Sequence, residues 1–570
     1  MVYFSSRFPK PPPVPNANIH ELMFNVPTPS VPDYTLHVDV ITGRKRTFYE
    51  FKEVIRDGAT ALASPISDGG LGLSAHNNDI VGIYSHNCMD YIALVHSLLV
   101  LTTPFALYSA YGTVFELTNL MRTCMPTKLF VQPSLLSNAL AAAKEIGFPE
   151  ERIYILEGKA DGRWSFQDFV DHARARAIPR VPIRPASKST LAYLVFSSGT
   201  TGLPKGVMIS HGNIWALMYA NIIQKDEEDK FLQPAPPKAP PVHLMFLPFY
   251  HTYGLHISCF RVFVQPVTNV IVPKWDVELV LRAIPKYRVN IIALIPSAIH
   301  QLVHHPMARK IDWSTIVNVN SGAAYLPPAL QALFMKYAKN LPVMTEGYGM
   351  SEQTLSAIKK PYPGTLGGIR PPPGCTGILI AGMEGRIMRA DGTDADYDEP
   401  GELWVRGENI SSGYWKNEKV TKETFVNGWL HTGDHFRADK DGFFYFADRA
   451  KDTLKVSGAQ VSPSEVEDAL LSQPDGLITD VCVAGVSGGR TSDEKIPRAW
   501  VVLSETGQTR GTNESIDILD QWAKKTLSRY KWLRGGYEVV DAIPKSPTGK
   551  VLRRILQEQY EQRHAAQPKL

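Results

Sequence analysis

Ten residues, 197–206, put four hydroxyls, three glycines and one lysine into a single connection: Ser197, Ser198, Gly199, Thr200, Thr201, Gly202, Leu203, Pro204, Lys205 and Gly206. Glycines let backbone N–H groups approach a ligand closely, and clustered N–H groups form a concave anion site. Hydroxyls add hydrogen bonds and Lys205 adds a point charge. This inventory suits a polyphosphate. It is not the Walker loop, because Lys205 is followed by Gly206 instead of a metal-binding hydroxyl, and Pro204 precedes the lysine.

Other stretches carry complementary chemistry. Tyr348-Gly349-Met350-Ser351-Glu352 offers a ring that can stack on a base, a hydroxyl for a phosphate oxygen and a carboxylate that can hold Mg²⁺. Ser321-Gly322-Ala323-Ala324 ends an apolar run, where α/β sheets place ligands. Asp434, in Thr432-Gly433-Asp434, can accept two ribose hydroxyl protons. Lys550, preceded by Gly549, can neutralise a carboxylate and a phosphate as charge develops. His251 sits among aromatics in Pro248-Phe249-Tyr250-His251-Thr252-Tyr253-Gly254. Taken singly, each of these is an ordinary loop, turn or solvated charge; Ser464 with Glu467 also reads as a helix capping box.

The elements that must hold these residues follow from periodicity. Apolar runs 191–196 and 207–209 predict short strands on either side of the glycine-rich loop. Strands at 79–85 and 128–131 alternate with helices at 88–99 and 134–146, which argues for an α/β layer with largely parallel strands. The pattern continues with a helix at 211–223 and strands at 243–247, 289–295 and 317–320, while 224–241 reads as a surface excursion. Residues 374–447 carry short strands between Gly, Asp and Pro turns, as in a small antiparallel barrel or sheet. Beyond a charged boundary, 448–452, a compact α+β segment is expected, with helices at 464–471 and 515–527 and strands at 481–486 and 499–503. The proline-rich stretch before Pro32 reads as an extended surface leader.

A chain of 570 residues is too long for one core. It is 44% hydrophobic and 20% charged with a formal net charge of +4, which gives no case for nucleic-acid or membrane-surface binding. Five scattered cysteines form no CxxC pair, so neither a disulfide framework nor a zinc site is expected. The uncharged stretch 91–110 contains His96 and Pro104 and reads as a buried helix and strand, not a membrane span. The C-terminal tripeptide Pro568-Lys569-Leu570 is close to a peroxisomal address, so peroxisome and cytoplasm are both expected locations, with an import receptor as a possible partner.

Together the motifs resemble the adenylate-forming (AMP-binding) superfamily, specifically 4-coumarate–CoA ligase-like acyl- or aryl-CoA ligases of fungal or plant type, over residues 191–554. The departures are Ser351 for threonine and Asp452 for glutamate. The resemblance implies an α/β fold: residues 1–448 form a large N-terminal domain of layered parallel-type sheets and helices with a small β-barrel subdomain. A hinge at 449–452 and a mobile α+β cap at 453–570 complete it. It implies ATP and Mg²⁺, coenzyme A as co-substrate, and a small carboxylic acid, aromatic or medium-chain and hydrophobic. The glycine-rich loop would hold the phosphates and Glu352 the metal. Gly322, Ala323, Ala324, Tyr348, Gly349 and Ser351 would surround the nucleotide, with Asp434 and Arg449 on the ribose. Tyr253, Ala298, Gly347 and Met350 would line the acyl pocket near His251. Lys550 would serve adenylation; rotation about Lys451 would then bring Lys455, Gly458 and Gln460 inward for thioester formation. A free-standing enzyme loading a carrier protein and a non-catalytic nucleotide-binding scaffold are the competing readings.

Overall fold

The computed structural model describes residues 3–24, 32–74, 78–197, 204–232, 239–324, 326–449, 454–456, 459–461, 463–487, 495–527, 529–546, 549 and 551–565. Two sheets organise the first 360 residues or so. The first has six strands, in the order Ile153–Ile155, Lys128–Val131, Val81–Tyr84, Phe105–Tyr108, Leu191–Ser197 and Lys205–Ser210. Its first five strands are mutually parallel and the last is antiparallel to its neighbour. The second sheet has nine strands, and its central run from Thr35–Asp39 to Met344–Tyr348 is parallel throughout. Parallel strands need crossovers, and helices supply them.

The helix Met89–Val100 is buried along its whole length. A helix apolar on every side belongs in an interior. Its one carboxylate, Asp90, accepts a hydrogen bond from buried Arg46 at 2.7 Å.

A six-stranded antiparallel sheet follows, built on Glu384–Met388, Gly401–Arg406 and Trp429–Ala438. The edge strand of this sheet comes from the other end of the chain: Phe4–Ser5 pairs with Gly385 and Glu384. The expected surface leader is therefore corrected. Phe8 and Ile19 are buried, Asn18 donates to the carbonyls of Leu99 and Arg184, and residues Ile19–Phe24 form a helix. The helix at 211–223 is also longer than expected and runs His211–Leu232, because 224–232 holds no proline and carries intrahelical pairs such as Gln224–Glu228.

The C-terminal unit packs a three-stranded sheet (Ile478–Ser487, Lys495–Leu503, Tyr537–Val539) against the helices Pro463–Leu471, Thr512–Thr526 and Arg553–Ala565. The capping box at Ser464 does not form. Ser464 lies inside its helix, and the Glu467 carboxylate accepts instead from Val483 N–H at 2.7 Å and from Arg553 at 2.8 Å. An arginine and a strand amide outcompete the local cap. Among the described residues no helix is long and apolar enough to cross a membrane.

Candidate active site

The glycine-rich loop is the tip of an antiparallel hairpin. Ser197 and Lys205 are direct cross-strand partners, so the register fixes both ends of the loop. Ser198, Gly199, Thr200, Thr201 and Gly202 lie outside the described residues. The Lys205 strand is held on its other side by the 413–415 segment, with Trp415 N–H donating to Gly206 O at 2.7 Å and Met208 N–H to Gly413 O at 3.0 Å.

That pairing brings Tyr414 to the loop. Its hydroxyl donates to Glu352 Oε1 at 2.8 Å, and Lys205 Nζ stands 5.1 Å from its ring centroid. Glu352 is 3% exposed. Burial pushes its carboxyl pKa up, while Tyr414, a hydrogen bond from Ser197 and the Lys205 charge favour the ionised form. Ser197, Lys205, Tyr414 and Glu352 thus form one linked group. Tyr414 was not legible in the sequence, because only the strand pairing carries it there.

The next turn, Tyr348 to Ser351, depends on glycine. A Cβ on Gly349 would collide with the Leu355 carbonyl oxygen. The Tyr348 hydroxyl donates to Asp434 Oδ2 at 2.7 Å, and the ring packs edge-on against Phe436. Asp434 is buried in the long strand Trp429–Ala438, directly across from Arg449 in register. The two residues expected on a ribose are therefore cross-strand neighbours, although the Arg449 side chain lies outside the described set. Ser351 Oγ and Thr252 Oγ1 are 3.1 Å apart.

Gly322 follows the strand Asn318–Ser321 and faces the Tyr253 ring, which a Cβ there would touch at 3.4 Å. Ser321 Oγ is buried and has no hydrogen-bond partner among the described residues. Ala323 has φ of +69°, a left-handed conformation that costs a non-glycine residue about 1 kcal/mol or more. His251 N-caps the helix Thr252–Cys259, accepting from Tyr253 N–H, and burial lowers its pKa to about 4.

Ser197, Lys205, Tyr414, Glu352, Tyr348, Asp434 and the 251–253 and 321–323 segments line one cavity of about 990 Å³, together with Ala324, Gly347 and Met350. Ala298 does not reach it. In the helix Pro296–His304, Pro296, Ser297 and His300 face the cavity, while Ala298 points into the core at 2% exposure. Ser297 and His300, not Ala298, are thus residues of this helix next to the cavity.

The C-terminal unit closes the cavity from outside. Lys545 pairs with Val551, and Gly549, at φ +80°, sits so close to Ser297 that any Cβ would collide with its hydroxyl oxygen. His300 Nε2 is 2.7 Å from the Thr479 carbonyl, and Lys545 pairs with Asp480. Lys550, Lys451 and Gly458 lie outside the described residues. Lys455 and Gln460 pair across the two-stranded ribbon, and their side chains are likewise outside.

The AMP-binding enzyme profile matches residues 30–415, and the AMP-binding enzyme C-terminal domain profile matches 465–550. The chain belongs to the AMP-binding enzyme family. It is 30% identical to probable 4-coumarate–CoA ligase 1 of Dictyostelium discoideum over 98% of this chain and 97% of that relative. It is 30% identical to acyl-CoA ligase AFT1-1 of Alternaria alternata over 84% of this chain and 82% of that relative. Among solved structures, anthranilate CoA ligase AuaEII in complex with anthranoyl-AMP superposes with a TM-score of 0.80 at 22% identity, covering 97% of this chain and 99% of that one. A benzoate CoA ligase from Burkholderia xenovorans LB400 gives 0.77 at 20% identity, covering 95% and 99%. This AMP-binding enzyme therefore shares their fold, and its two family segments fall on the two sides of the cavity.

Proposed function

We propose that this AMP-binding enzyme is an ATP-dependent acid–coenzyme A ligase working in two half-reactions. In the first, a carboxylate oxygen bonds to the α-phosphorus of ATP, the bond from that phosphorus to the bridging oxygen breaks, and pyrophosphate leaves. In the second, the coenzyme A thiolate bonds to the acyl carbon and AMP departs with the former carboxylate oxygen.

The observation that carries this reading is convergence. The Ser197–Lys205 hairpin, the Tyr414–Glu352 pair and the Tyr348–Asp434 pair all open on the cavity that the 545–551 hairpin caps. In this reading residues 198–202 and Lys205 hold the phosphates, Asp434 and Arg449 the ribose, and Tyr348, Gly322, Ala323 and Ala324 the base. Lys550, next to Gly549, stabilises charge as the adenylate forms. Closure excludes water that would hydrolyse the intermediate. With domain limits at 1–448, 449–452 and 453–570, rotation about Lys451 would exchange Lys550 for the Lys455–Gln460 ribbon and Gly458.

Glu352 fits a Mg²⁺ ion accompanying ATP. It is a hard oxygen donor beside the phosphate loop, and Mg²⁺ is commonly held by one carboxylate plus substrate phosphates. Such an ion supplies neutralisation of phosphate charge. Tyr414 and Ser197 keep the carboxylate ionised and oriented for that purpose.

A screen for pyrophosphate and AMP release against a panel of carboxylic acids, with and without coenzyme A, tests the reading. AMP formation dependent on coenzyme A, with a thioester product, is expected. AMP formation that needs a carrier protein would favour the carrier-loading alternative, and no AMP with any acid would favour a non-catalytic scaffold.

A further inference from the structure

The cavity has a cationic end that the nucleotide does not use. Lys359 is 9% exposed, lines the cavity, and has no hydrogen bond or ion pair among the described residues. Its neighbour Lys360 is paired with Glu346 at 2.8 Å. Lys359 is the direct cross-strand partner of Gly347, and the missing side chain there leaves room: a Cβ on Gly347 would lie 3.9 Å from Lys359 Cγ. Arg261 and Asn221 line the same cavity, and Arg261 also makes no ion pair among the described residues.

These groups stand on elements of their own. Lys359, Arg261 and Asn221 come from Ile358–Lys359, Arg261–Phe263 and His211–Leu232, none of which carries a proposed nucleotide contact. Thr252, which meets Ser351, begins the helix Thr252–Cys259, and Arg261 follows that helix. The helix rises roughly 10 Å from Thr252 to Cys259 before the chain turns out of it at Phe260. Lys359 is buried and Arg261 half-buried, and Glu228 on the neighbouring helix acts on Lys359 without forming an ion pair with it, so an anion that joins the two cations would be favoured.

We propose that Lys359 and Arg261 bind a second anionic group on the acid, so that the substrate is a carboxylic acid carrying a distal carboxylate or comparable anion. This rests on the acid–coenzyme A ligase reading. It adds a second, anionic end to the aromatic or medium-chain hydrophobic acid of that reading. Burial lowers the Lys359 pKa to about 7; Arg261 acts in the same direction, and Glu228 on the neighbouring helix opposes it. Arg261 is itself faced by His243 and Tyr253. A bound anion raises the Lys359 pKa again, so binding near pH 8 takes up a proton.

The test compares α,ω-dicarboxylic acids from succinate to sebacate with their monomethyl esters, together with benzoate and fatty acids, by pyrophosphate release in the wild type, Lys359→Met and Arg261→Met. At least one diacid should exceed its ester by about ten- to hundredfold in kcat/KM. Each variant should lose that advantage mainly through KM and gain on the esters. Calorimetry of the wild type with the preferred diacid, in buffers of different ionisation enthalpy near pH 8, should show proton uptake, and this readout does not depend on a variant folding. Esters or simple acids turned over as well as every diacid, or binding without proton uptake, would overturn the inference while leaving the ligase reading intact. Absence of pyrophosphate release with every acid would remove both.

Discussion

Replacing Tyr414 by phenylalanine removes the hydroxyl that faces Glu352 and Thr424 and leaves the ring packing in place. The ring remains, with Lys205 still 5.1 Å from its centroid, and only the hydroxyl that donates to Glu352 Oε1 at 2.8 Å is lost. A hydrogen bond to a charged, buried group contributes about 1.5–3 kcal/mol. Its loss falls on the ionised carboxylate, because a donor stabilises the charged form. Burial already raises the Glu352 pKa, so removing an opposing influence raises it further. If adenylation needs the carboxylate, activity is lost as pH falls through that pKa, and the acid limb of the profile moves to higher pH. The limb should move up by about one to two pH units, since each 1.36 kcal/mol is one unit, and kcat/KM on the acid side of it should drop about ten- to hundredfold. The deficit should shrink as pH rises. The assay is pyrophosphate release across a pH series with the best acid from the panel. An unchanged acid limb would refute the argument, and an equal loss at every pH would show that the hydroxyl only supports structure.

Further outcomes follow from the same geometry. Gly549→Ala should slow adenylation while sparing thioester formation from a supplied acyl-adenylate, because the added methyl displaces the 545–551 hairpin from Ser297; equal loss of both half-reactions would contradict this. Tyr348→Phe removes the hydroxyl that donates to Asp434 and should raise KM for ATP about tenfold with little change in melting temperature, measured by steady-state kinetics and thermal unfolding. Gly349→Ala should unfold the protein at markedly lower temperature, since backbone at Leu355 has to move by more than a side chain can absorb. Four buried histidines have pKa values of about 4 (His96, His211) or about 3 (His243, His256). The unfolded chain protonates near pH 6.5 and the folded one does not, so stability should fall as pH drops from 6.5 toward 4. Each histidine contributes up to about 1.4 kcal/mol per pH unit, to be read from urea midpoints at several pH values.

The sequence reading succeeded where chemistry and spacing coincide. The apolar runs on either side of the glycine-rich loop were legible as strands, and the hairpin register adds only that Ser197 faces Lys205. The family was legible because its motifs are local. What was missed depends on pairing between distant segments. Tyr414 reaches Glu352 only through its strand contact with Val207, and nothing in its own neighbours announces that. Lys359 looks like an exposed lysine beside another; both are largely buried by the sheet around them, and the ion pair of Lys360 with Glu346 distinguishes the two. The Ser464–Glu467 cap failed for the same reason, since Arg553, 86 residues later, claims the carboxylate.

The edge strand Phe4–Ser5 has a temporal consequence. It pairs with Gly385 and Glu384, and further along the segment Trp215 Nε1–H donates to the Ala17 carbonyl at 3.0 Å. During synthesis these residues emerge long before their partners, and at about 5–20 residues per second the wait for Glu384 is on the order of 20 to 80 s. The Phe4–Ser5 strand, translated early, thus waits for a sheet that is made late. It works as a clasp fastened on a body already formed, and trimming it would leave the β subdomain with a bare edge.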